Sequence, residues 1–205
     1  VEVIESPDGL QSLVIQHMQF VDEGKAVITA RADGEISYWD LAKRKPTKKL
    51  HLPTSLYRIG PNGSEGSIVF HSLVTAPDGK RVAVNDGLDA GSLSIWDIAG
   101  KKPTRKLIKT RPKYSLRQLS WSGDGKWLAG SLLGQKSDQI VVWDASSTKE
   151  VAKIDIPKDM RLLKALTFSA DARYLAVAVM TKDNYRALLW DVSDVTGDKA
   201  SKAKP

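Results

Sequence analysis

Apolar residues in this chain come in short runs cut by turn-forming residues, without the three-and-four spacing of an amphipathic helix. The runs follow a fixed order. Leu13 to Phe20 leads to the turn Asp22-Glu23-Gly24, then to Ala26 to Ala30, a polar interruption, and a third run ending in Trp39-Asp40. The order returns as Ile68 to Thr75, Pro77-Asp78-Gly79, Arg81 to Val84 and Trp96-Asp97. It returns again as Leu116 to Trp121, Gly123-Asp124-Gly125, Trp127 to Ser131 and Trp143-Asp144. The last copy is Leu163 to Phe168, Ala170-Asp171, Tyr174 to Met180 and Trp190-Asp191. Short β-rich runs joined by turn residues at this frequency predict antiparallel strands in meanders, so the expected fold class is all-β.

A fourth strand closes three of the units. Lys45-Pro46-Thr47-Lys48-Lys49-Leu50 nearly repeats as Lys102-Pro103-Thr104-Arg105-Lys106-Leu107, and Thr148 to Ile156 takes the same place in the third unit. The division that follows is 13–53, 68–112, 113–157 and 158–192, the last without its fourth strand. Residues 54–67 form a long connection, and 193–205 a polar tail too poor in apolar residues to pack. Residues 1–12 offer a short strand, Val1 to Glu5, and the turn Ser6-Pro7-Asp8-Gly9. The chain opens on Val1 without an initiator Met and is expected to be a segment of a longer product.

The tryptophans that close the units stand at 39, 96, 143 and 190, at spacings of 57, 47 and 47. Repeats a little above about 40 residues, with strands in fours and a terminal Trp-Asp, mark a propeller blade. On these endings and the Asp-Gly turns in register with them, residues 13–192 resemble the WD-repeat β-propeller family. The resemblance implies four blades of four-stranded antiparallel meanders, the C-terminal part of a ring that in this family usually has about seven or eight. Val1 to Glu5 would then be the last strand of a preceding blade; alternatively it supplies the missing strand of the last unit and seals a four-bladed ring. Family repeats often carry a Gly-His pair and an Asp that lock the blade through a hydroxyl and the Trp. Here only Asp33 stands in register, with Thr29 as its hydroxyl partner, and neither His17 nor His71 follows a Gly. These blades are expected to lean on apolar packing, with Trp121 and Trp127 in the core.

In such a ring the loops between second and third strands share a face with the blade-to-blade connections. The later units have longer interruptions there, Asn85 to Ser92, Leu133 to Gln139 and Thr181 to Arg186, and the connection after the first unit is long as well. Insertions of this kind commonly mark a binding face, although loops also lengthen at little entropic cost. The candidate contact residues are Tyr57, Arg58, Asn62, Asp86, Asp89, Gln135, Lys136, Asp138, Lys182, Asp183, Tyr185 and Arg186.

Charge adds a second candidate. The chain has 31 Lys and Arg against 24 Asp and Glu, a formal +7, and the basic residues run together at Lys43, Arg44, Lys45, Lys101, Lys102, Arg105 and Lys106. They form either an anion-binding rim for nucleic acid, acidic protein or lipid headgroups, or lysine protection of exposed outer strands against unwanted strand pairing. No aromatic platform is interleaved with them, which weakens a single-strand reading.

Catalytic constellations are missing. The chain has no cysteine, and its three histidines, His17, His51 and His71, lie apart. There is no Gly-x-Ser-x-Gly turn, zinc helix motif or phosphate-binding glycine loop. Asn85-Asp86-Gly87-Leu88-Asp89 gathers oxygen ligands without the spacing of a calcium loop, and Asn62-Gly63-Ser64 fits a glycosylation acceptor. No run approaches the roughly 18 apolar residues of a membrane helix. The compartment stays open, with the cytoplasm favoured. The function expected from the resemblance is a non-catalytic scaffold without cofactor, holding other proteins, including within a multi-subunit complex. The alternatives are anion or nucleic-acid binding on the basic rim, and an enzyme or small-ligand site in the central channel.

Overall fold

The computed structural model describes residues 15–31, 34–52, 58–59, 65–66, 72–85, 92–110 and 113–195. The first sheet is β1 (Ile15–Val21), β2 (Ala26–Arg31), β3 (Glu35–Asp40) and β4 (Lys45–His51), antiparallel and in chain order. The long connection holds a small hairpin, β5 (Arg58–Ile59) with β6 (Glu65–Gly66). The second sheet is β7 (Ser72–Thr75), β8 (Arg81–Asn85), β9 (Ser92–Asp97) and β10 (Thr104–Lys109). The third is β11 (Tyr114–Trp121), β12 (Trp127–Gly134), β13 (Gln139–Asp144) and β14 (Glu150–Asp155). The fourth has three strands among the described residues, β15 (Arg161–Phe168), β16 (Tyr174–Met180) and β17 (Tyr185–Asp191). The expected strand Val1 to Glu5 lies outside the described residues.

The sheets stack with their first strands innermost: β1 beside β7, β7 beside β11 and β11 beside β15. This is the blade arrangement of a β-propeller. Strand periodicity explains it directly, because successive side chains point to opposite faces and a sheet covered on both sides must be apolar at consecutive positions. In β12, Leu128 and Leu132 join the core shared with the second sheet, while Ala129 joins the core shared with the fourth. In β13, Val141 and Trp143 face backwards and Ile140 and Val142 forwards. The terminal tryptophans of the second, third and fourth sheets follow one rule: each joins the core shared with the preceding sheet. Trp96, Trp143 and Trp190 are buried there, whereas Trp39 in the first sheet is only half-buried.

Of the locking network, one bond is present in the first sheet. Thr29 Oγ1 accepts from Trp39 Nε1 at 3.1 Å, and Asp33 lies outside the described residues. In the second sheet Val84 occupies the place of Thr29, and Trp96 Nε1 is buried with no hydrogen-bond partner among the described residues. In the third sheet that place is Gly130. A Cβ there would come within 2.8 Å of both the Trp143 ring and Leu116, so the absent side chain admits the indole against the backbone. Trp121 is core as expected: it is buried, donates Nε1 to the Val74 carbonyl at 3.1 Å, and carries the Arg81 guanidinium over its ring at 5.0 Å.

The two settings of the tryptophan separate in stability. Trp143→Ala is expected to cost about 3–5 kcal/mol, as truncation of a buried aromatic does, and Trp39→Ala less than half of that. Urea unfolding of the two variants measures the difference, and equal losses would show that the first sheet is as fully covered as the third.

Candidate functional site

An up-and-down meander sends its connections to two faces. The β1–β2 and β3–β4 turns and their counterparts emerge on one, here the turn face. The β2–β3 loops and the sheet-to-sheet connections emerge on the other, the loop face.

Carboxylates of the repeat organise the turn face. The Asp of each Trp-Asp accepts backbone N–H groups of the following turn: Asp40 from Lys43, Asp97 from Ala99, Asp144 from Ser146 and Ser147, and Asp191 from Ser193. The Asp of the preceding turn does the same. Asp78, Asp124 and Asp171 each accept the N–H two residues on. Ser122 and Ser169 hydroxyls add bonds to Asp124 and Asp171. Hydrogen bonds to the ionised form lower a carboxyl pKa, and those from Ser147 and Ser146 hold Asp144 down to about 2.

The basic residues divide by role. Lys106 Nζ donates to the Ser146 carbonyl of the third sheet at 2.9 Å, and Lys48 Nζ donates to the Ile98 and Ala99 carbonyls of the second. These two lysines occupy the same position, opposite Ile95 and Tyr38 respectively. Arg105 Nε donates to Ser94 Oγ at 2.8 Å and lies over Trp96 at 5.7 Å. Lys43 Nζ pairs with Asp40 at 2.9 Å. Arg44 sits in the left-handed region at φ 53° in the β3–β4 turn. Lys45, Lys101 and Lys102 are exposed beside these turns. The run of positive charge therefore resolves into seam clamps, a turn pair and an exposed remainder.

An open cleft of about 300 Å³ lies on the turn face between the first two sheets, with Asp22, Tyr38, Lys48, Asp78 and Lys80 among its lining residues. Tyr38 donates its hydroxyl to Asp22. Burial, then that bond, pushes the Tyr38 phenol up to about 12. Asp78 is engaged with Arg81 Nη2 at 3.3 Å and with the Lys80 N–H.

On the loop face the structure separates the expected residues. Gln135 and Lys136 are exposed at the tip between β12 and β13, and Lys182 and Asp183 at the tip between β16 and β17. Asp138 is fully buried. Its carboxylate accepts the Gly134 N–H at 3.2 Å, the Leu162 N–H at 2.8 Å and Arg161 Nε at 2.9 Å, which ties this loop to the entry of the fourth sheet. Tyr185 and Arg186 are exposed but belong to β17, opposite Met180 and Val179, because Thr181 and Asn184 close a tight turn by exchanging hydrogen bonds. Arg58 lies in β5, while Tyr57, Asn62, Asp86 and Asp89 lie outside the described residues. Sequence reasoning missed Arg161, the partner of Asp138, because the two are joined only by the fold.

Near the inner strands, His17 Nε2 lies 3.3 Å from Thr75 Oγ1 across the seam of the first two sheets. Burial lowers its pKa, with a hydrogen bond to Gln19 acting against it. Among the described residues no group of three or more His, Asp or Glu could hold a metal ion. No helix of the described residues is long and apolar enough to cross a membrane.

No protein-family profile matches the chain, and no curated protein sequence does. Among solved structures, the chain is similar to the β-propeller domain of Cps50 (Swd1) from Myceliophteria thermophila, with a TM-score of 0.64 and 14% identity. The likeness covers 92% of this chain and 57% of that one, so the chain spans little more than half the length of that domain. At this identity the likeness establishes the fold alone: an all-β propeller.

The turn carboxylates give stability an acid limb with a definite sign. Asp144 ionises near pH 2 when folded and near 3.8 in its ordinary state. Its contribution is thus present above about pH 4 and lost as pH falls through about 2. Urea midpoints measured from pH 5 to pH 2 are expected to fall less in Asp144→Asn than in the parent. At pH 7 the variant should lose about 1 kcal/mol, the worth of a hydrogen bond to charge given up for one to an amide. Parallel pH profiles would assign the acid limb elsewhere.

Proposed function

We propose that this propeller segment is a non-catalytic scaffold that binds other proteins through its loop face. The observation that supports this reading is the contrast between the two faces. On the turn face the repeated carboxylates and clamping lysines are occupied in holding turns and seams. On the loop face the tips differ from unit to unit and present exposed polar residues, Gln135 and Lys136 on one blade and Lys182 and Asp183 on the next. Loops displayed by a rigid frame are where binding residues concentrate. The propeller fold of the Cps50 (Swd1) domain is compatible with this reading and does not identify a partner. Asp138 acts within the loop as its anchor.

An anion-binding rim is the weaker reading. Lys48, Lys106 and Arg105 are already bonded to the protein itself, and Lys43 is paired with Asp40.

Quantitative affinity purification with the parent protein, a loop-face variant (Lys136→Glu with Lys182→Glu) and a turn-face variant (Lys45→Glu with Lys101→Glu) tests the assignment. Proteins lost with the first variant and retained with the second are the expected result. Loss with the turn-face variant alone, together with duplex DNA binding that falls steeply with salt, would transfer the function to the rim.

A further inference from the structure

The loop face is not uniform in charge. At its first-sheet end the cations are compensated, since Arg31 and Lys49 reach the Glu35 carboxylate at 3.5 and 3.8 Å. At the same end of the third sheet the carboxylate is Asp138, which is fully buried. Its charge is taken up by Arg161 and by the N–H groups of Gly134 and Leu162. It compensates no lysine.

Asp138 also gathers the surrounding segments. Its carbonyl accepts the Ile156 N–H at 3.0 Å and its carboxylate the Leu162 N–H at 2.8 Å, which pins both ends of the connection from the third sheet to the fourth. Arg161 pairs in register with Met180, the last residue of β16, and so sets the β16–β17 turn beside that connection. Tyr114 pairs with Gly134, which places Lys113 at the foot of the β12–β13 loop. Each of these segments presents one exposed lysine: Lys113, Lys136, Lys158 and Lys182. None of them forms an ion pair among the described residues. Arg186, near the start of β17, is exposed as well. With Arg161 set against Asp138, the exposed carboxylates left among these cations are Asp159 and Asp183, so the surface carries an excess of positive charge.

We propose that this part of the loop face binds an acidic segment of a partner protein. The assignment rests on loop-face binding as put forward above and adds the chemistry of what is bound. Lysines gathered on a fixed frame repel one another, and carboxylates laid across them relieve that repulsion while steering the encounter.

Asp159 and Asp183 select the kind of anion. A nucleic-acid duplex carries one charge per about 1.7 Å of its axis and would bring phosphates onto these carboxylates together with the lysines. A peptide spaces its carboxylates between uncharged residues. It can set acids on the lysines and offer N–H groups to Asp159 and Asp183.

Fluorescence anisotropy tests this with three labelled probes: a peptide rich in Glu and Asp, its Gln and Asn analogue of equal length, and a short duplex DNA. Expected is binding of the acidic peptide that weakens with added salt, and little binding of the analogue. Lys113→Glu, Lys136→Glu and Lys182→Glu combined, with an unchanged far-UV spectrum, should weaken the acidic peptide by about 30-fold, the worth of a few exposed ion pairs. Lys45→Glu, Lys101→Glu and Lys102→Glu combined alter the net charge equally on the turn face and should leave it unchanged. The proposal is overturned by absence of acidic-peptide binding at low salt, by equal binding of the analogue, by equal losses in the two variants, or by duplex DNA that binds more tightly and is lost with the loop-face variant. If the acidic peptide fails while Lys136→Glu with Lys182→Glu still loses proteins in affinity purification, loop-face binding stands and the acidic partner falls.

Discussion

The structure depends on one constraint: a strand in the middle of a stack of sheets has no face left for water. Each inner sheet must be apolar at consecutive positions and must fit two different neighbours at once. Here the two halves of that requirement fall on adjacent residues, the closing Trp looking back and the residue before it looking forward. The chain is in this sense one-dimensional, with each unit held by its neighbours more than by itself. Gly130 shows how strict the fit is, since even a methyl group there would displace an indole and a leucine. Single buried polar contacts then serve registration more than strength, as with Trp121 on the Val74 carbonyl and Asn85 on the Leu116 carbonyl.

Charge in this protein is spent largely on geometry. A carboxylate that collects turn N–H groups satisfies donors that a tight reversal leaves without strand partners, and the same residue recurs for that reason in every unit. The Lys48 and Lys106 clamps do for the seams what the carboxylates do for the turns: an ammonium on a long stem spans two sheets and ends on carbonyls left over by the next turn. Part of the positive charge in these segments, Lys43, Lys48, Arg105 and Lys106, therefore has a mechanical use, while Lys45, Lys101 and Lys102 stand exposed beside it.

Much of this was legible in the residues. The Trp-Asp endings and Asp-Gly turns announced the units because both reflect short-range requirements, the period of a strand and the conformation of a turn. What stayed hidden was non-local. The repeat Lys45 to Leu50 aligns by letter with Lys102 to Leu107, which equates Lys48 with Arg105. A bulge in β4 at Thr47, between the partners of Tyr38 and Trp39, shifts the register, and the structural equivalent of Lys48 is Lys106. Asp138 read as a loop residue because its burial is created by Arg161 and Leu162, brought to it from the next sheet. Tyr185 and Arg186 read as loop because a tight turn at Thr181 to Asn184 was not distinguishable from a longer one by composition.

Asp138 also shows how the loop face can vary without cost to the frame. Register along each hairpin is set at the turn face, where the carboxylates fix reversals only a few residues long. Beyond the last seam contact the strands are free to end early or late: β12 runs to Gly134, β8 ends at Asn85, and β17 begins at Tyr185. A loop that must be both variable and placed needs one fixed point, and the buried carboxylate supplies it by bonding its own loop at Gly134 and the following sheet at Leu162 and Arg161. Exposed Gln135 and Lys136 then project from a held base. The repeated carboxylates thus stand at one end of the hairpins, where they fix the turns, and the loops that differ in length and sequence stand at the other, where the one between β12 and β13 is held by Asp138.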